Sequence, residues 1–131
     1  MNLDSPTITI DKSAEEAFNF LSDVKNFEKL MPETINKFEV LGEDKFLFAL
    51  KGMPEIVLKK KDETPHSQVV LGAAGGALDF ALVANIEEID DTQSEVSLNF
   101  NGKFNTMMSM MIKSPIKKFL QTLASNMPEA I

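Results

Sequence analysis

Two periodicities divide the chain. From about residue 35 until the period changes again at about residue 105, apolar and polar residues alternate, which predicts strands with one buried face. NKFEVLG sets Phe38 and Val40 against Lys37 and Glu39. KFLFALK aligns Phe46, Phe48 and Leu50, and PEIVLKKK aligns Ile56 and Leu58 before it passes into charge. QVVLG adds Val69 and Leu71. ALDFALVANIEEID brings Leu78, Phe80, Leu82 and Ile86 into phase, and EVSLNFNGKF does the same for Val96, Leu98 and Phe100. The segments between, Gly42-Glu43-Asp44, DETPHS and DDTQS, are short polar turns. Short turns join antiparallel neighbours, so six consecutive strands form a meander with one dry and one wet face.

The flanks follow a different rhythm. TITIDKS at 7–13 alternates as a short strand, and then Ser13 with Glu16 forms a capping-box pattern that opens a helix. Ala14, Ala17, Phe18 and Leu21 line one side of it. Ser22-Asp23 closes that helix and caps a second short one through Phe27, Leu30 and Met31, which Pro32 ends. The last element spans about Asn105 to Asn126. Its second half carries a stripe of Ile116, Phe119, Leu120, Leu123 and Met127, with Lys117, Lys118, Gln121 and Ser125 facing away. Its first half packs Met107, Met108, Met110, Met111 and Ile112 together, so apolar surface wraps more than half of the helix. The spacing predicts Met108, Met111 and Ile112 toward the sheet, Met107 and Met110 on the flanks, and a kink at Pro115. The expected fold is α+β: a seven-stranded curved antiparallel sheet, two short helices after the first strand, and a long C-terminal helix packed across the concave face. Residues 1–131 read as a single domain.

Composition narrows the function. A chain of 131 residues with 44% apolar and 25% charged positions reads as a globular domain with a real core. The net charge of −7 argues against nucleic acid, whose phosphates it would repel. All thirteen basic residues are lysine, so the bidentate arginine clamp is missing. There is no Cys, which excludes disulfides, thiol nucleophiles and thiolate-held zinc; Trp and Tyr are also absent. No segment reaches the length of a membrane span, so stable membrane insertion is not expected. The opening MNLDSPTITIDKS lacks a basic stretch followed by an apolar core, so a cytoplasmic location is the default expectation.

Candidate chemistry is sparse. Methionine fills irregular core gaps, but its flexible thioether also suits a deformable ligand wall or a partner-docking face. Copper(I) would need a Cys or His to complete the site, and none is near. His66 lies in the polar turn ETPHSQ without an evident orienting partner, as a solvated loop residue would. Asp79 has the parity of the wet face. The small residues of LGAAGGALDF precede a strand instead of a helix, so they do not form a phosphate-cradling loop. LKKKDE reads as a charged strand edge. Within it, Lys60 has inward parity and is a candidate to meet an anionic head group.

The opening ITIDKSAEEAFNFLSDVKNFEKLMPE and the closing FNTMMSMMIKSPIKKFLQTLASNM resemble the two ends of the helix-grip fold of the START-like (SRPBCC) superfamily. That group includes the major birch pollen allergen, lipid-transfer START domains, and polyketide cyclases and aromatases. The resemblance covers essentially the whole chain and implies a cavity between sheet and C-terminal helix. The cyclases of the group place polar residues in that cavity, whereas the inward set here holds no titratable group. The expectation is therefore a noncatalytic protein that binds or transports a small hydrophobic or amphipathic, lipid-like ligand as a monomer or homodimer, with no catalytic residue, cofactor or metal. The expected ligand wall is Phe46, Phe48, Leu58, Phe80, Leu82, Leu98, Phe100, Met107, Met108, Met111 and Ile112. The alternatives are a cyclase- or aromatase-like enzyme and a protein-interaction module with a filled core.

Overall fold

The computed structural model describes residues 1–33, 35–51, 55–74 and 79–131. The alternation over the middle of the chain resolves into β3 (Ile35–Val40), β4 (Lys45–Leu50), β5 (Ile56–Thr64), β6 (Gln68–Ala73), β7 (Asp79–Asp90) and β8 (Gln93–Lys103). Ahead of them come β1 (Asn2–Asp4), β2 (Ile8–Ile10), α1 (Ala14–Leu21) and a 3-10 helix (Val24–Leu30); α2 (Thr106–Ala130) closes the fold. All strand pairs are antiparallel, in the order β1-β8-β7-β6-β5-β4-β3, with β2 also on β8. The result is a curved helix-grip sheet.

The expected seven strands become eight segments because the first strand is broken. Asp4 stands opposite Asn99 and Ile8 opposite Val96, so Ser5, Pro6 and Thr7 face only Ser97 and Leu98. That is a bulge, and Pro6 has no N–H to give a ladder there. Buried Ser5 repairs the gap: its N–H donates to the Leu98 carbonyl at 2.8 Å, and its Oγ accepts the Leu98 N–H at 2.8 Å.

Other boundaries moved for local reasons. β5 runs to Thr64, past the expected turn at Asp62, because Asp62, Glu63 and Thr64 pair with Val70, Val69 and Gln68 beyond a register shift. The turn then contracts to Pro65–Ser67, where His66 adopts a left-handed φ of 69°. Ser13 caps α1 by accepting the Glu16 N–H at 3.1 Å, Asp23 caps the 3-10 helix, and Asn105 caps α2 through the Met108 N–H at 2.7 Å. Although Pro115 offers no N–H to the carbonyl of Met111, α2 continues through it as one helical element.

The inward parity holds through the core. Phe46, Phe48, Leu50, Ile56, Leu58, Val69, Leu71, Phe80, Leu82, Ile86, Val96, Leu98 and Phe100 are all buried, and Phe38 is half-buried. Leu78, expected in that set, lies outside the described residues, as do Gly75, Gly76 and Ala77. From the helices come Phe18, Leu21, Phe27 and Leu30, with Ile112, Ile116, Phe119, Leu120, Leu123 and Met127 of α2. Each such side chain contributes roughly 1.5–3 kcal/mol when withdrawn from water. The Asn126 amide donates to the Leu30 carbonyl at 2.9 Å and ties the end of α2 to the 3-10 helix.

Candidate functional site

Two aromatic clusters occupy the space between sheet and helix. Phe46 stacks with Phe27 and Phe38, at 5.3 Å between ring centroids in each case, and leads on to Phe48. Phe48 stacks on Phe119 of α2 at 4.9 Å and only 8° from parallel, so sheet and helix meet there ring to ring. At the other edge Phe80, Phe100 and Phe104 stack in turn. Leu58, Leu82, Leu98 and Ile112 are buried in the same core. Eight of the expected wall residues thus lie on the inner side, packed against protein: Phe46, Phe48, Leu58, Phe80, Leu82, Leu98, Phe100 and Ile112.

The methionines divide differently from the expectation. Met108 is half-buried against the core. Met107 and Met110 are exposed, as a flank position requires, but Met111 is 66% exposed and does not face the sheet. The physical reason is helical phase. At about 100° per residue, Met111 stands about 140° around the axis from Ile116. Truncating Met111 therefore removes little buried surface, unlike a sheet-facing side chain.

None of the three polar candidates points into the space between sheet and helix. Lys60 keeps inward parity, opposite Leu71, but its ammonium is held by the Ser22 carbonyl at 2.9 Å and by Glu63 at 2.7 Å. It closes the C-terminal end of α1, where the helix presents carbonyl oxygens. His66 is exposed and packs edge-on against Phe18 at 5.7 Å. Asp79 is exposed at the start of β7. Among the described residues no buried side-chain polar atom lacks a hydrogen-bond partner, and no three acidic or histidine side chains converge to hold a metal.

What the sequence did not single out is a groove of about 370 Å³ between the end of β4 and the middle of α2. Its floor is Leu50 and Phe119, with Pro32 and Pro115 beside them, and Lys51 and Lys118 stand at the rim. Among the described residues no acidic side chain lines it. Met111, Pro115, Lys118 and Thr122 follow one another at four- and three-residue steps, so Met111 extends the helix wall of this groove by one turn. That spacing was visible in the sequence; the approach of Leu50 and Lys51 to it was not.

No family model matches the sequence, and no curated protein matches it. Solved structures do match. A START superfamily protein from Mycobacterium smegmatis is 12% identical, with a TM-score of 0.68 over 98% of this chain and 94% of that one. A conserved protein from Geobacillus kaustophilus is 15% identical, with a TM-score of 0.69 over 98% and 93%. The di-domain aromatase/cyclase BexL of the BE-7585A biosynthetic pathway is 11% identical, with a TM-score of 0.66 over 97% of this chain and 46% of that one. At such identities the likeness is one of fold. Among the described residues no helix is long and apolar enough to cross a membrane. The broken first strand, the paired short helices, the antiparallel meander and the terminal helix laid on its inner face make this a START-like helix-grip fold.

Proposed function

We propose that residues 1–131 act as one START-like domain that binds, without chemistry, a small hydrophobic or amphipathic lipid-like molecule between sheet and α2. The observation that carries this reading is the β4–α2 groove, which is apolar at its floor, carries Lys51 and Lys118 at its rim and, among the described residues, has no acidic lining. Its volume falls within the range of small-molecule sites. An acyl or isoprenoid chain would part Phe119 from Phe48 and reach the inner wall of Phe46, Leu58, Leu82, Leu98 and Ile112, with Met108 and Met111 beside its path. An anionic head group would stay between the two lysines. The same reading takes the chain as a monomer or homodimer in the cytoplasm, which sedimentation and cell fractionation check.

Native mass spectrometry of gently purified protein, followed by a thermal-shift screen of fatty acids and isoprenoids, tests it. Because the chain has no Trp or Tyr, a dansyl-labelled fatty acid reports binding against little protein fluorescence. Retention of a lipid-sized adduct, and a rise in Tm that Lys118→Glu weakens, are expected. No adduct and no stabilising ligand would favour the second reading, an interaction module with a filled core, which the Phe48–Phe119 stack supports. Turnover of a polyketide mimic would instead revive the cyclase reading.

A further inference from the structure

Acidic residues are unevenly placed on this molecule. The hairpin ends at one end of the sheet carry Glu43 and Asp44 in the β3–β4 turn, Asp62 and Glu63 near the end of β5, and Glu87, Glu88, Asp90 and Asp91 at the end of β7 and in the turn after it. α2 begins at the opposite end, where β8 finishes. From Val96 to Pro128 there is not one acidic residue, although the chain as a whole carries −7. That stretch holds Lys103, Lys113, Lys117 and Lys118, all exposed. Asp79 faces Lys103 across the β7–β8 ladder, and Glu55, at the same end, is paired with Lys37 at 3.1 Å. Among the described residues Lys113, Lys117 and Lys118 make no ion pair.

The same end of α2 bears the most exposed large apolar side chains among the described residues. Met107, Met110 and Met111 are 73%, 77% and 66% exposed and lie within about 100° of arc. Water is a poor solvent for three adjacent thioether chains, and a contiguous apolar patch ringed by cations marks a contact surface.

We infer that this end of α2 docks on an anionic lipid surface, with the three methionines seated among the acyl chains and Lys113 and Lys117 at the phosphates. A lysine is a point charge on a flexible apolar stem, suited to a diffuse array of phosphates and able to extend to it while its stem stays in the apolar zone. Nucleic acid fits less well, because the patch has neither arginine nor an exposed aromatic ring to stack on bases. A second copy would bring like charges face to face. The acidic turns at the far end would be repelled by the same surface, so the charge asymmetry orients the molecule as well as attracting it. The patch adjoins the ligand groove at Met111, but Met107, Met110, Lys113 and Lys117 do not line the groove, and docking does not require the groove to be occupied.

Co-sedimentation with vesicles tests it, using phosphatidylcholine alone and phosphatidylcholine mixed with phosphatidylglycerol. Wild type should favour the anionic vesicles by about 25-fold, about fivefold for each of Lys113 and Lys117, and leave them as salt is raised. Lys113→Glu with Lys117→Glu should lower the partition at least about 25-fold. Met110→Asp should lower it without changing Tm, because that side chain stands in water. Equal binding to both vesicle types, no binding to either at low salt, or indifference to the lysine reversals would overturn the inference. A dimer that Met110→Asp dissolves, with no vesicle binding, would reassign the patch to a contact between copies. The lysine reversals should leave dansyl fatty-acid affinity unchanged, so failure here and failure of the groove reading are told apart.

Discussion

Ile112 and Met111 are neighbours in sequence with opposite fates, which makes them a sharp probe of the phase of α2. Ile112 is 7% exposed and Met111 is 66% exposed. Truncating a buried Ile to Ala costs about 2–5 kcal/mol, the spread reflecting how far the site can collapse. Here Met110, Met111 and Lys113 around it are all exposed, so the helix end can relax and the low end applies, about 2–3 kcal/mol. Ala is the better helix former by a few tenths of a kcal/mol in both variants, which trims that figure slightly. Met111→Ala removes little buried surface and should stay within about 0.5 kcal/mol of wild type. At about 2.1 cal/mol/K of unfolding entropy per residue, a chain of 131 residues loses about 3–4 °C of Tm per kcal/mol. Ile112→Ala should therefore lower Tm by about 7–12 °C and Met111→Ala by less than about 2 °C. Urea unfolding should show the same order in the midpoint with an unchanged slope. If Met111→Ala costs as much as Ile112→Ala or more, α2 is rotated about its axis relative to this structure. The exposed patch, the groove wall and the docking inference would then fall together.

Three further outcomes follow from single contacts. Ser5→Ala leaves the buried Leu98 N–H without its acceptor in the first-strand bulge, and urea unfolding should show a loss of about 1–3 kcal/mol. Gly102→Ala would place a methyl 2.7 Å from the Phe80 Cβ and 2.8 Å from the Asp79 carbonyl, so a cost of about 1–3 kcal/mol is expected from overpacking, whereas a neutral result would mean that this edge of the sheet yields readily. The Thr92 N–H and, secondarily, its hydroxyl hold the exposed Asp90 carboxyl below its ordinary 3.8. Its contribution is fully present above that pH and is lost as pH falls through the lower folded-state value, so Asp90→Asn should show a smaller acid loss of urea midpoint, and an unchanged acid dependence would count against the Asp90–Thr92 contact.

The sheet and its inner face were legible because period-two alternation is a local property. Once Phe46 is inward, Phe48 and Leu50 must follow, and the ladder of Phe46 on Leu58 and Phe48 on Ile56 agrees with that parity. The helix caps at Ser13 and Asp23 were equally local, each side chain accepting an N–H within three residues, and the Asn105 cap, which was not singled out, is of the same kind. Tertiary structure decided whatever depended on a partner distant in sequence. Four methionines in one turn and a half blur the apolar stripe of α2, so only the packing of Ile112, Ile116 and Leu123 on the core sets its phase and leaves Met111 in water. Lys60 has the parity of a cavity residue, yet Ser22, thirty-eight positions earlier, holds its ammonium because the end of α1 happens to lie there. The break at Ser5 acquires its reason only from Leu98, and the groove exists only because β4 ends beside Pro115 and Lys118. Periodicity states which face of an element is apolar; which distant atoms meet that face is a property of the folded chain alone.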